Sequence, residues 1–202
     1  MVETVGLLEM VEVAAMAGKK PRVHGNGFIQ LDLNGNGTKR LHVWDESLPR
    51  QTVATPIHDH VFALRSTVIL GTLIHEELEP YEDYDYGTHR IYRAQQEEGT
   101  QNTILVPDKG LVRLSVVQRL VLGEGSIYTF PAWKLHQTDH IGLTATIMDK
   151  VDAPEEYGRP RVLVEKDSVP DNDFKRDGCD PAELWPYVYE AVGLAILDAG
   201  TV

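Results

Sequence analysis

The sequence predicts an all-β protein, an antiparallel sandwich or barrel, with one helix at each end of the chain. From Phe28 onward, short β-rich runs alternate with turn residues. No helical pattern interrupts these runs, and helical spacing occurs only near the two termini. Short strands joined by turns, without helices between them, are typical of antiparallel sandwiches and barrels.

Each predicted strand is a short run of β-branched, aromatic and aliphatic residues bounded by turn residues. The runs cover residues 28–33, 39–44, 66–74, 89–95, 111–122, 126–130, 143–148 and 161–165. Asn-Gly-Asn-Gly at 34–37 predicts a hairpin between the first two, because Asn-Gly accepts positive φ at both turn positions. Asp32, Asn34 and Asn36 also imitate the start of a calcium loop. The twelfth position of that loop is Val43 rather than glutamate, so the hairpin is the favoured interpretation.

The two helices are predicted from different signals. The N-terminal helix, at about residues 3–17, follows from helical spacing of apolar residues at Leu7, Leu8, Val11, Ala14 and Ala15, with Gly18 as its stop. The C-terminal helix, at about 181–198, begins with Asp180 as N-cap and Pro181 at the first helical position. Between them lies a barrel core of about 21–166, and we expect residues 1–202 to form a single domain.

Composition excludes several classes of protein. The formal net charge of −12 opposes binding to nucleic acid or to an anionic membrane, since both require a basic surface. No run approaches the roughly 20 apolar residues of a membrane span. Glu3 and Glu9 stand where a secretory signal would carry positive charge, and Cys179 is the single cysteine. We therefore expect a cytoplasmic protein that acts on a small molecule, and leave a homodimer open.

Acidic residues are concentrated at 76–85, which reads EELEPYEDYD. We interpret this segment as a solvated loop that keeps the protein soluble. The alternative is a lid over a pocket, using Tyr81, Tyr84 and Tyr86.

His58 and His60 flank Asp59, and two residues at i and i+2 of a strand project from the same face. Two imidazoles directed into one cavity form half of a metal site. Taken alone, the pair is more typical of histidines packed or solvated on a sheet surface.

The spacing of further residues makes the pattern specific. Gly71 follows His60 by eleven residues, and Gly125, Pro131 and His136 then follow in a fixed order. These positions resemble the two motifs of the cupin superfamily: a paired H-x-H followed by glutamate and glycine, and G-x5-P-x-G-x2-H-x3-N. The resemblance covers about residues 40–150. It implies a cupin (jelly-roll) barrel that holds one metal ion on His58, His60 and His136.

Three positions depart from the family pattern. Leu64 stands where the motif has glutamate, Trp133 where it has glycine, and His140 where it has asparagine. The set of ligands therefore resembles that of three-histidine cupins such as cysteine dioxygenase-like proteins. His140 shares strand parity with His136 and is a candidate fourth ligand, a hydrogen-bonding partner of a ligand, or an ordinary polar strand residue. Leu64 should point into the barrel, close to the metal.

The resemblance implies an enzyme with one divalent metal ion, Fe(II) favoured, although imidazole also suits zinc, nickel, manganese and copper. A non-haem iron dioxygenase acting on a small polar or anionic molecule is the leading function. A metal-dependent isomerase or lyase, and a non-enzymatic small-molecule-binding cupin, are the alternatives.

Residues beyond the metal ligands are assigned more loosely. Tyr128 and Arg113 are the candidate catalytic residues, with Arg113 pairing a substrate carboxylate or else facing solvent. Arg65, of opposite parity to His58 and His60, should point away from the cavity. We expect the remaining strand histidines to be surface or hydrogen-bonded residues rather than ligands: His42, His75 and His89.

Overall fold

The computed structural model describes residues 4–48, 56–96, 103–152, 158–170 and 178–199. In chain order the elements are α1 (Thr4–Met16), β1 (Arg22–Val23), β2 (Ile29–Asp32), β3 (Lys39–Trp44), β4 (Ala63–Glu82), β5 (His89–Gln96), β6 (Thr103–Leu122), β7 (Ile127–Phe130), β8 (Leu135–Asp152), β9 (Arg161–Glu165) and α2 (Pro181–Ala199). The predicted all-β antiparallel fold with a helix at each terminus is confirmed.

The strands form one antiparallel sheet in the order β1-β2-β3-β8-β4-β6-β5-β9, with β7 paired to β4. The short segment around His58 closes part of this path into a ring. His58 exchanges two backbone hydrogen bonds with His136 on β8, and Asp59 N donates to Arg161 O on β9. The sheet therefore curls through the strands β8, β4, β6, β5 and β9, and the segment at 57–59 bridges β9 and β8.

The turn between β2 and β3 is the predicted hairpin. Gly35 and Gly37 both have positive φ, at 79° and 71°. Asp32 Oδ1 accepts the backbone N–H groups of Asn34, Gly35 and Gly37. This carboxylate therefore stabilises the turn through backbone amides, which agrees with the hairpin interpretation of the segment.

Two long strands, β4 and β8, each contribute to both halves of the curled sheet. The register between them shifts between Val68 and Thr72, and Gly71 lies within that irregular stretch with φ 73°. A Cβ at Gly71 would lie 2.4 Å from the carbonyl oxygen of Leu143. Glycine is required here because the two backbones approach so closely where the strands bend.

The two helices cover one face of the sheet formed by β1, β2, β3 and β8. Leu7 and Val11 of α1 and Val188 of α2 pack in one buried apolar cluster with strand residues such as Leu41 and Ile147. The opposite face carries alternate residues, among them Gln30, His42 and Thr146, which lie side by side in the strand register. The helices therefore cover the apolar face of these strands, and the opposite, more polar face lines the interior of the barrel.

The helix boundaries agree with the sequence signals. Asp180 Oδ1 accepts the backbone N–H of Ala182, which is the predicted N-cap. Pro186 lies inside α2, and the helix continues through it to Ala199. Among the described residues, no helix is long and apolar enough to cross a membrane.

The acidic segment differs from the predicted loop. Residues 76–82 belong to β4 and pair with β6, and 76–78 pair with β8 as well, so only 83–88 form the turn. This pairing with neighbouring strands overrides the weak intrinsic strand preference of glutamate. Tyr81, Tyr84 and Tyr86 are exposed, at 49%, 69% and 70%.

Candidate metal centre

Three histidines converge at the point where the 57–59 segment meets β8. The ring nitrogens of His58, His60 and His136 that could serve as ligands all lie within 4.8 Å of one another. Nε2 of His136 is 3.1 Å from Nε2 of His60. Backbone pairing places the side chains of His58 and His136 next to each other. The two-residue period of extended chain brings His60 to the same side as His58.

The protonation state of the cluster suits a metal ion. Burial is the largest cause that lowers the pKa of all three histidines, and mutual repulsion among the imidazoles lowers those of His60 and His136 well below the ordinary value. Neutral imidazole is the form that binds metals. Nδ1 of His136 is buried without a partner among the described residues. The donor set and its neutrality therefore fit one divalent ion.

The two chain segments that carry the histidines are tied together by Asp59 and Arg161. The Asp59 side chain is fully buried and accepts hydrogen bonds from both the backbone N–H and Nε of Arg161, each at 2.6 Å. Nη2 of the same arginine donates to the carbonyl oxygen of Trp133, 2.6 Å away. Trp133 N in turn donates to His60 O. One arginine therefore fixes the His58–His60 segment against the turn that precedes His136.

Trp133 stands where the cupin motif has glycine, and the backbone conformation at this position explains why the motif has glycine. Its φ is 64°, and it is the one non-glycine residue with positive φ among the described residues. The indole ring packs over Gly158, where an added Cβ would lie 2.6 Å from the ring. The left-handed conformation is costly for a residue with a Cβ, and the two backbone hydrogen bonds of Trp133 help to hold it.

His58 has neighbours that orient its ring. Its Nδ1 lies 2.8 Å from Pro56 O, and Nδ2 of Asn26 lies 3.0 Å from Nδ1 and 3.2 Å from Nε2. A ligating histidine whose other nitrogen meets a carbonyl has a fixed tautomer and ring orientation. If Nδ1–H donates to Pro56 O, the lone pair of His58 lies on Nε2, where a metal would take the place of the Asn26 amide.

His140 lies apart from the three-histidine cluster. It shares strand parity with His136, as predicted, but four residues of strand separate their Cα atoms by about 13 Å. Nδ1 of His140 instead lies 2.9 Å from the carbonyl oxygen of Gly142. At that separation the side chain of His140 is not part of the three-histidine cluster.

The two candidate catalytic residues differ in placement. Burial raises the pKa of Tyr128 to about 12, so its phenol stays protonated, and its hydroxyl shares a hydrogen bond with Ser66. Arg113 is on the surface, with 48% of its side chain exposed, 3.5 Å from Asp83 and above the ring of Tyr86. Arg113 therefore faces solvent, which was the second of its two predicted placements, because its ion pair lies on the exposed turn after β4.

Leu64, which stands where the cupin motif has glutamate, and its neighbour Arg65 point to opposite faces of the strand, as predicted. Leu64 is buried, at 6% exposure, in a cluster with Phe130 and Met148, and Arg65 is exposed. The ring of Phe130 lies 4.6 Å from that of His136. Leu64 thus points into the barrel, one aromatic ring away from the histidine cluster.

Two histidines that we expected at the surface or hydrogen-bonded lie inside. His75 is 2% exposed, and neither ring nitrogen has a partner among the described residues. Its ring is 5.1 Å from that of His136. His42 has a buried, unpartnered Nε2 beside Phe28. The predicted strand ended at residue 74, and extending it by one residue would have placed His75 on the face of Leu73.

These buried histidines predict how the metal-free protein responds to acid. Burial lowers the pKa of His75 to about 4, whereas the unfolded chain titrates near 6.5. Between those values only the unfolded state takes up the proton, so stability should fall as the pH falls, by about 1.4 kcal/mol per pH unit for this residue. Urea unfolding at several pH values should show this loss, and His75→Phe should reduce the slope by about one proton. Equal slopes in both proteins would contradict the assignment.

Comparison with known proteins adds little to this geometry. No family model and no curated protein matches the sequence. Among solved structures, hydroquinone 1,2-dioxygenase PnpCD in complex with Cd2+ and 4-hydroxybenzonitrile aligns at 13% identity over 59% of this chain and 61% of that chain, with a TM-score of 0.32. Hydroquinone 1,2-dioxygenase from Sphingomonas sp. TTNP3 with 4-hydroxybenzoate bound aligns at 13% identity over 71% and 72%, with a TM-score of 0.35. Likenesses this distant bear neither on the fold nor on the chemistry of this chain.

Proposed function

We propose that this chain is a metal-dependent cupin enzyme, and that its chemistry is that of a non-haem iron dioxygenase acting on a small polar or anionic molecule. The observation that carries the proposal is the convergence of His58, His60 and His136, whose ligand atoms lie within 4.8 Å of one another. The motif spacing and the lowered histidine pKa values support the same conclusion.

The three histidines would hold the ion as neutral imidazoles, and no carboxylate joins them within the described part of the chain. A divalent ion on three imidazoles keeps coordination positions open, and iron(II) there would supply the chemistry that lets dioxygen react with a coordinated substrate. Without an anionic ligand the site keeps its full positive charge, which favours a chelating anion as substrate.

Aromatic side chains pack against two of the three histidines. Phe62 stacks on His60 with ring centroids 4.9 Å apart, and Phe130 lies at a similar distance from His136. Tyr128 lies two residues before Phe130 on β7, with its ring 5.0 Å from that of His75. It holds its proton because burial raises its pKa. We assign Tyr128 the role of a hydrogen-bond donor toward bound substrate.

An oxygen electrode combined with elemental analysis tests the proposal. Protein purified without a histidine tag should contain close to one equivalent of a divalent metal. After anaerobic loading with Fe(II), it should consume one O2 per molecule of substrate with a member of a panel of catechols, thiol-amines and hydroxy acids. Conversion without O2 uptake would instead indicate an isomerase or lyase. Binding of panel compounds to the metal-loaded protein without conversion would indicate a non-enzymatic cupin.

A further inference from the structure

Two cationic side chains lie on the interior face of the sheet, close to His60. Arg40 on β3 stands opposite Met148 on β8, and Lys150 follows two residues later on the same face. Nζ of Lys150 lies 4.4 Å from the centre of the Phe62 ring, and the guanidinium carbon of Arg40 lies 5.9 Å from it. The other neighbour of that ring is His60. One phenyl ring therefore separates the two cations from a proposed metal ligand.

No carboxylate pairs with either cation within the described ranges. Arg40 uses its Nε to donate to the carbonyl oxygen of Gly37, 3.0 Å away. Asp32, the acid opposite Arg40 in the strand register, is 3.5 Å from Lys19 and accepts three turn amides. Asp149, beside Lys150, pairs with Lys39 on the other face. The ion pairs among the described residues therefore leave Arg40 and Lys150 without an acidic partner.

The electrostatic surroundings disfavour both positive charges. Burial, followed by repulsion from Arg22, lowers the pKa of Arg40. Burial, followed by repulsion from Arg40, lowers the pKa of Lys150. Attraction to Asp32 offsets only part of this effect at both residues, so the pKa of each stays lowered. Partly buried cations with too little counter-charge are costly in a folded protein, and an anion that binds between them reduces that cost. The arrangement is notable in a chain whose formal net charge is −12.

We propose that Arg40 and Lys150, with Phe62 between them and His60, form the subsite that binds a carboxylate group of the substrate. This inference rests on the proposed function, because the other end of the same molecule reaches the metal centre. Arg40 offers a planar fork of N–H donors, Lys150 adds a compact charge, and Phe62 packs against the body of the molecule. The substrate class is thus a small organic acid with a metal-chelating group at its opposite end.

The test compares two chelating probes that differ in one charge, 3,4-dihydroxybenzoate and 3,4-dihydroxybenzamide. Cobalt(II)-loaded protein is titrated with each, and the visible absorption of the ion reports binding at the metal. The wild type should bind the benzoate at least about tenfold more tightly than the benzamide, since a charge-assisted pair at a partly buried site is worth at least that much. Arg40→Gln and Lys150→Gln should each reduce the preference for the benzoate, and the double variant should abolish it.

Arg65→Gln is the matched control, because Arg65 is an exposed cation on the neighbouring strand. It should keep the wild-type preference. An absent preference in the wild type would overturn the substrate class, and a preference that survives in the double variant would remove Arg40 and Lys150 from the subsite. A protein that holds cobalt but responds to neither probe would contradict the proposed function. Calorimetry of metal-free protein with benzoate and benzamide separates the two failures, because the cationic subsite should prefer benzoate without any metal.

Discussion

Replacing His136 with alanine is expected to reduce the bound metal from about one equivalent to near zero while the barrel stays folded. His136 lies at the centre of the cluster, 3.1 Å from His60 and directly paired with His58 through the backbone. Two remaining imidazoles bind a divalent ion far more weakly than three. The backbone pairing that closes the ring of strands does not use the imidazole, so circular dichroism should be unchanged.

His140→Ala is the matched control for this experiment. It removes the same side chain from the same strand, about 13 Å away by strand rise. Elemental analysis should find the wild-type metal content in His140→Ala and almost none in His136→Ala. If the two variants lose metal equally, His140 belongs to the site and the geometry given above is wrong.

The second large effect is expected at Asp59. Its carboxylate is fully buried against Arg161, so Asp59→Asn leaves a partly buried cation without its charge partner. Removing one partner of a buried ion pair costs roughly 3–5 kcal/mol. We expect about 3 kcal/mol here, the lower end, because 22% of the Arg161 side chain is exposed and water partly replaces the lost charge. Urea unfolding measures the change.

Metal affinity should fall with that stability, by about 10- to 100-fold, because Asp59 holds the segment that carries His58 and His60. Asp149→Asn is the control: its pair with Lys39 is exposed, and the loss should be below about 1 kcal/mol. Arg161→Gln combined with Asp59→Asn should recover part of the stability. A loss at Asp59 no larger than that at Asp149 would show that the buried pair does not fasten the site.

The sequence was sufficient for the fold class because its signals are local. Strand period, the Asn-Gly turn at 34–37 and the cap at Asp180 each depend on a few neighbouring residues, and each has its expected structure. The length of β4 was underestimated because its second half is rich in glutamate. That stretch is a strand only because β6 and β8 pair with it, and such pairing is not visible in a short window of sequence.

The site was predictable where a motif fixed the spacing and not where the fold brought distant strands together. His58, His60 and His136 came from motif spacing and strand parity. Arg113 was predicted as a candidate and Arg40 was not considered, because parity alone does not tell which face of which strand lies inside. His140 shows a related limit: parity gives the face of a residue but not its distance along the strand.

Structure determination of the protein with its metal bound, using anomalous scattering to locate the ion, tests the central claim most directly. The account predicts one ion, with a ring nitrogen of His58, His60 and His136 each about 2.0–2.2 Å from it, as imidazole–metal bonds require. The remaining positions should face the interior that holds Phe62 and Phe130. An ion bound elsewhere, or one that lacks any of the three histidines, would contradict it.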